Sequence, residues 1–147
     1  MPIRPSDFDR VAAELEQVLT SHPAKVVAID GRSGSGKTTL GRFLAWYFNS
    51  SLVELDLFLA EGGLVHREPE IDRIIGHRLA LRRPVFIEGL KVLSVLEALQ
   101  KPPDILIYVR NPKHPRGFGF GSELDEYEQT FQPQQRANIV LECEHGL

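Results

Sequence analysis

The residues with the clearest chemical potential are the eight from Gly31 to Thr38, whose spacing matches G-x-x-x-x-G-K-[ST]. Glycines in such a loop let the backbone turn tightly, so that successive N–H groups point inward and bind an anion. Lys37 adds a positive charge for the β- and γ-phosphates of a nucleotide, and the hydroxyl of Thr38 can bind Mg²⁺. The spacing therefore predicts a nucleotide triphosphate site. Its binding residues are expected to be Gly31, Ser33, Gly34, Ser35, Gly36, Lys37, Thr38 and Thr39.

Two acids are candidates for the rest of the chemistry. Glu88 ends the apolar run 85–87, and Asp56 ends the run 52–55. Both would lie at the carboxyl ends of parallel strands, where open α/β sheets bind ligands. An acid that closes an apolar strand is costly unless it is exposed or paired. An enzyme with a phosphate-binding loop needs a second Mg²⁺ ligand and a group that positions or deprotonates the acceptor, and we expect these two acids to fill those roles.

The surrounding pattern predicts the elements that position these residues. Residues 26–30 form an apolar, β-branched run without alternation, which is typical of a strand buried on both faces of a parallel sheet. Asp30, at its end, is expected to hold the backbone of the loop. Glu54 is interpreted as structural. Strands are predicted at 26–30, 52–58, 85–88, 105–109 and 138–141, and helices within 1–22 and at about 38–48, 69–81, 92–99 and 122–131. This alternation implies a mostly parallel sheet covered on both faces.

Two segments interrupt the alternation. Residues 59–68 are predicted to be a loop with a turn at Gly62-Gly63, and the Gly/Pro-rich stretch 111–121 is predicted to be mobile. Arg110, just before that stretch, fits either a phosphate contact or a salt bridge. His66 and Arg67 fit either recognition of an acceptor or an ordinary polar loop.

Composition limits the classes of function. The 147 residues carry a net charge of -3, which argues against a dedicated nucleic-acid binder, since such proteins need an excess of Lys and Arg. No apolar run reaches the length of a membrane span, and no signal-peptide core is present, so a cytoplasmic protein is expected. The single cysteine, Cys143, is interpreted as a small buried hydrophobe.

Several motifs together resemble one known family. The run from Ile29 to Thr39 resembles the P-loop of the uridine kinase and phosphoribulokinase group of P-loop kinases. Residues 55–58, Leu-Asp-Leu-Phe, are similar to that family's strand-end aspartate with its following aromatic, and residues 86–89 to its strand that ends in Glu-Gly. Tyr127, Pro133 and residues 137–140 resemble the segment that leads into the family's last core strand.

The resemblance implies a three-layer α/β P-loop NTPase fold with a five-stranded parallel sheet, in which the Glu88 strand neighbours the P-loop strand. The length of 147 residues fits one domain over residues 1–147, and helical spacing of apolar residues predicts the N-terminal helix in 1–22. The resemblance also implies ATP and Mg²⁺, with transfer of the γ-phosphate to a hydroxyl of a small molecule, for example a nucleoside such as uridine. In that scheme Lys37 and Asp56 are catalytic, Asp56 as the base, while Thr38 and Glu88 hold the metal.

The sequence departs from the family at two places. The substrate-binding insert between the second and third strands is absent, because the helix that ends near Arg83 runs directly into Pro84. The Arg-rich lid is reduced to residues 111–121, where Arg116 is the candidate for closing on the transferred phosphate. A small-molecule kinase is therefore the first hypothesis, and an ATP-binding regulatory or partner-linked module with little or no transferase activity is the alternative.

Overall fold

The computed structural model describes residues 6–60 and 65–144. The strands are β1 (Val26–Asp30), β2 (Ser51–Glu54), β3 (Val85–Glu88), β4 (Ile105–Arg110) and β5 (Ile139–Glu142). The helices are α1 (Ser6–Ser21), α2 (Lys37–Tyr47), α3 (Glu68–Ala80), α4 (Val92–Ala98), α5 (Gly121–Phe131) and α6 (Pro133–Arg136), and a 3-10 helix spans Leu55–Phe58.

The five strands form one parallel sheet in the order β2-β3-β1-β4-β5. The predicted α/β fold with a five-stranded parallel sheet is confirmed, and so is the pairing of the Glu88 strand with the strand that leads into the loop. Ile29 of β1 lies opposite Glu88 of β3, and Glu54 of β2 lies opposite Glu88 on its other side. The carboxyl ends of three strands therefore meet at one edge of the sheet.

The sheet buries both of its faces, which explains why its central strands are apolar without alternation. Side chains on one face, such as Val27 and Phe86, pack with α1 and α2. Side chains on the other face, such as Ala28 and Ile87, pack with α3 and α4. Each large apolar side chain buried in this way stabilises the fold by about 1.5–3 kcal/mol before entropy is counted.

The second predicted strand differs most from the structure. Pairing stops at Glu54, and residues 55–58 form a 3-10 helix instead of continuing the strand. The reason is that β2 is an edge strand whose partner, β3, ends at Glu88, so the chain beyond Glu54 has no strand to pair with. Asp56 therefore lies in a turn just after the strand and not at its end.

Smaller differences concern the loops. The helix α6 is absent from the predictions, and the stretch predicted to be mobile packs on the phosphate-binding loop. Leu59 and His66 form an isolated antiparallel bridge, while the predicted turn at Gly62-Gly63 lies outside the described residues. In the described part of the chain, no helix combines the length and the apolar character needed to span a membrane.

Candidate active site

The phosphate-binding loop connects β1 to α2. Gly34 and Gly36 have φ values of +77° and +104°, in the region that favours glycine. The sequence therefore supplies glycine at two points where the backbone of the loop adopts this conformation.

Two polar groups lie inside the loop. The Nζ of Lys37 donates to the carbonyl of Arg32 at 3.0 Å, and burial lowers the pKa of this amine against the opposing effects of Glu88, Asp30 and Asp56. The Oγ of Ser35 is buried with no hydrogen-bond partner among the described residues. The buried cation in a glycine-rich loop favours an incoming anion, whereas the hydroxyl of Ser35 faces Gly31.

Thr38 and Glu88 form the second part of the site. The Thr38 hydroxyl donates to Oε1 of Glu88 at 2.9 Å, and Glu88 is 2% exposed. Burial raises the pKa of this carboxyl, while Lys37 and the bond from Thr38 act in the opposite direction. A hydroxyl beside a carboxylate is an oxygen pair that suits Mg²⁺, which proteins usually hold with one or two side chains together with substrate phosphates. No group of three or more His, Cys, Asp or Glu in residues 6–60 and 65–144 forms a separate metal site.

A cavity of about 420 Å³ joins these groups to Asp56. Asp56 is exposed and lines the same cavity as Lys37, Thr38 and Glu88. The remaining walls are formed by the loop residues Ser33, Gly34 and Gly36 and by the apolar residues Leu59, Leu90 and Phe120. The two acids chosen from sequence thus face one cavity, with different exposure to solvent.

Asp30 performs the structural role expected of it. Its Oδ1 accepts the N–H of Gly31 at 2.7 Å, and its Oδ2 accepts the hydroxyl of Tyr127 at 2.5 Å. The same tyrosine oxygen accepts the N–H of Leu93 at the start of α4. Burial raises the pKa of Asp30 to about 6, despite both hydrogen bonds and the nearby charge of Lys37. The loop is therefore tied through Asp30 and Tyr127 to two helices.

The other candidates have definite partners. Arg116 forms an ion pair with Asp125 at 2.8 Å and does not line the cavity. Arg110 pairs with Glu142 at 2.5 Å, which agrees with the salt-bridge alternative.

Cys143 is buried, as expected. Glu54, interpreted as structural, pairs with Arg42.

His66 lies close enough to Asp56 for their charges to interact, and burial lowers the pKa of His66.

Of the predicted loop ligands, Gly31, Ser35 and Thr39 do not line the cavity.

Three cavity residues escaped the sequence predictions. Leu59, Leu90 and Phe120 come from three separate connections and have no common motif. The signal available for Phe120 was an aromatic in a short Gly/Pro-rich stretch, where a purely solvated loop has no need of one. Nothing in the sequence marks Leu59 or Leu90.

Comparison with known proteins gives a fold relationship. No protein-family profile and no curated protein sequence matches the chain. Among solved structures, a possible uridine kinase from Bacillus stearothermophilus superposes with a TM-score of 0.69 at 18% identity, covering 91% of this chain and 96% of that one. A gluconokinase from Sinorhizobium meliloti 1021 has a TM-score of 0.50 at 20% identity, covering 82% of each chain. A shikimate kinase from Acinetobacter baumannii, in complex with shikimate, has a TM-score of 0.50 at 16% identity, covering 89% of each.

At identities this low, the likeness concerns the fold. It agrees with the resemblance found in the motifs, since the proteins that superpose are described as kinases. The chain therefore has the fold of P-loop kinases, and a possible uridine kinase is among its structural neighbours.

Proposed function

We propose that this protein is an ATP-dependent kinase that transfers the γ-phosphate to a hydroxyl of a small molecule. The observation that carries the proposal is the single cavity shared by Lys37, Thr38, Glu88 and Asp56. A cation, a pair of oxygens suited to Mg²⁺ and an exposed carboxylate surround one space. Phosphoryl transfer depends mainly on positioning and electrostatic stabilisation, and these are the groups that it requires.

The loop residues would hold the triphosphate. Backbone N–H groups of residues 33, 34 and 36–38 and the amine of Lys37 would bind the phosphate oxygens. Lys37 would keep its bond to the Arg32 carbonyl, since an ammonium group has three N–H donors. Thr38 and Glu88 would hold Mg²⁺. When bound, the metal neutralises charge on the β- and γ-phosphates.

Burial separates the roles of the two acids. Glu88 is enclosed and already bonded to Thr38, which suits a metal ligand. Asp56 is exposed to the cavity, where an acceptor can reach it. We assign Asp56 as the base that takes the proton of the acceptor hydroxyl, while the acceptor oxygen bonds to the γ-phosphorus and ADP leaves.

The acceptor would enter between Asp56 and the apolar wall formed by Leu59, Leu90 and Phe120. A nucleoside such as uridine is the first candidate, since one structural neighbour is described as a possible uridine kinase. Gluconate-like and shikimate-like alcohols are the next candidates, because the other two structural neighbours are described as a gluconokinase and a shikimate kinase. His66 interacts electrostatically with Asp56 but does not line this cavity, so it is a candidate for acceptor recognition only if the acceptor extends beyond the cavity.

An acceptor screen tests the proposal. ADP release is measured with ATP, Mg²⁺ and a panel of nucleosides, sugars, sugar acids and cyclic polyols, for the wild type and for Lys37→Ala. We expect one acceptor class to stimulate ADP release in the wild type, and Lys37→Ala to abolish both the stimulation and tight ATP binding. Wild-type ATP affinity in Lys37→Ala would contradict the assignment of the loop.

A nucleotide-binding regulatory module is the second candidate. It is favoured by the position of Arg116, which is paired with Asp125 outside the cavity. Without a guanidinium at the phosphates, the chain would bind ATP but would transfer its γ-phosphate slowly or not at all. Tight ATP binding with no stimulation by any acceptor would support this function.

A further inference from the structure

The phosphate-binding loop carries a second, buried cation that the proposed reaction does not use. Arg32 is 7% exposed, and its guanidinium points away from the cavity toward α5. Its Nε and Nη2 donate to the two carboxylate oxygens of Glu128 at 3.0 and 2.9 Å, and Nη2 also donates to Asp125 at 2.6 Å. This forked pairing with Glu128 fixes the plane of the guanidinium as well as its position.

Glu128 is itself held in place. Its Oε1 also accepts the hydroxyl of Tyr108 in β4, at 3.1 Å. Glu128 and Asp125 are three residues apart on α5 and so lie on one side of the helix. A helix and an interior strand of the sheet together therefore set the position of the carboxylate that holds Arg32.

The backbone of Arg32 carries this constraint to the reactive lysine. The carbonyl of Arg32 accepts the hydrogen bond from Lys37 Nζ at 3.0 Å and also the N–H of Ser35 at 3.2 Å. A shift of Arg32 would therefore move the carbonyl oxygen that accepts the hydrogen bond of Lys37. It would also move the turn that shapes the phosphate-binding loop. The side chain of Arg32 and the amine of Lys37 are therefore linked through the backbone of Arg32.

The same network joins the loop to the short lid. Arg116 donates to the second oxygen of Asp125. The backbone carbonyl of Arg116 accepts a hydrogen bond from Arg32 Nη1 at 3.4 Å. Gly117, at φ +72°, lies so close to the loop that an added Cβ would be 2.8 Å from the carbonyl oxygen of Ser33. The lid backbone thus rests on residues 32 and 33.

We propose that Glu128 is a positioning residue for the phosphate-binding loop, acting through Arg32 on Lys37. The pair joins a buried Arg32 to a partly exposed Glu128. Ion pairs in either setting often add little net stability, so fold stability alone does not explain this one. Its value lies in the geometry that it imposes on the residues around the triphosphate. The inference rests on the nucleotide-binding part of the proposed function.

The test compares Glu128→Gln with Glu126→Gln, an identical charge change at an exposed site on the same helix. Binding of ATP with Mg²⁺ is measured by calorimetry. We expect Glu128→Gln to weaken affinity about tenfold, with Glu126→Gln close to wild type. Arg32→Lys, which keeps the charge but loses the fork, should weaken binding similarly, and the double variant should be little worse than either single one.

Amide hydrogen exchange in the nucleotide-free protein gives a second readout. Exchange at residues 33–36 should accelerate in Glu128→Gln while α1 exchanges as in the wild type. Wild-type ATP affinity with unchanged loop exchange would overturn the inference, and so would equal acceleration in α1, which would indicate a general loss of stability. Failure of the wild type to bind ATP would instead refute the proposed function, and loop exchange would still decide the role of Glu128.

Discussion

Charge at this site is controlled by how deeply each residue is buried. Asp30 and Glu88 are both 2% exposed and flank the amine of Lys37. Burial raises the pKa of both carboxyls and lowers that of the amine. Asp56 is exposed and lines the same cavity. The three carboxylates near one lysine therefore have different environments, and these suit the three roles proposed for them: holding the loop, binding metal and accepting a proton.

The raised pKa of Asp30 has a measurable consequence for stability. Its pKa is about 6 in the fold against 3.8 ordinarily, so between these values the folded protein keeps a proton that the unfolded chain has lost. The free energy of unfolding must therefore fall as pH rises through this window. Asp30→Asn removes the titration, so the wild type should gain up to about 3 kcal/mol relative to the variant between pH 7 and pH 4. Denaturant unfolding at several pH values measures this, and parallel curves for the two proteins would contradict it.

At the scale of elements, the sequence predicted what depends on local pattern. The runs 26–30 and 85–88 coincide with β1 and β3, because strands buried on both faces are continuously apolar. Residues 55–58 are equally apolar, yet they form a 3-10 helix, since a strand needs a neighbour and β3 ends at Glu88. Pairing partners come from the tertiary fold, which no local pattern records.

Helix glycines give a prediction at this scale. Gly76 lies in α3, and an added Cβ would meet no described atom within 4 Å, whereas at Gly41 in α2 it would lie 3.0 Å from Leu52 Cδ1. Gly76→Ala should therefore raise the free energy of unfolding by about 0.8–1 kcal/mol, because alanine favours the helix. Gly41→Ala, the matched control, should gain less, because Leu52 must move. Equal gains in denaturant unfolding would show that packing at Gly41 does not matter.

For the whole molecule, the order of the sheet assembles the site. Because β3 lies between β2 and β1, the turn with Asp56, the end of β3 with Glu88 and the phosphate-binding loop share one edge. The grouping of these residues at one edge could be predicted from the sequence, because parallel sheets bind ligands at their carboxyl edge. The pairing of Arg32 with Glu128 did not follow, since the two residues are 96 positions apart and scattered charges give no sequence signal.

The most direct test of the account is transfer of labelled γ-phosphate from ATP to an alcohol, beginning with uridine. Wild type, Asp56→Asn and Glu54→Gln are compared, the last as a nearby acid that pairs with Arg42 and does not line the cavity. Loss of a general base should reduce kcat about 100-fold or more in Asp56→Asn, with the KM for ATP little changed and Glu54→Gln close to wild type. Wild-type turnover in Asp56→Asn, or no transfer to any alcohol by the wild type, would contradict the central claim.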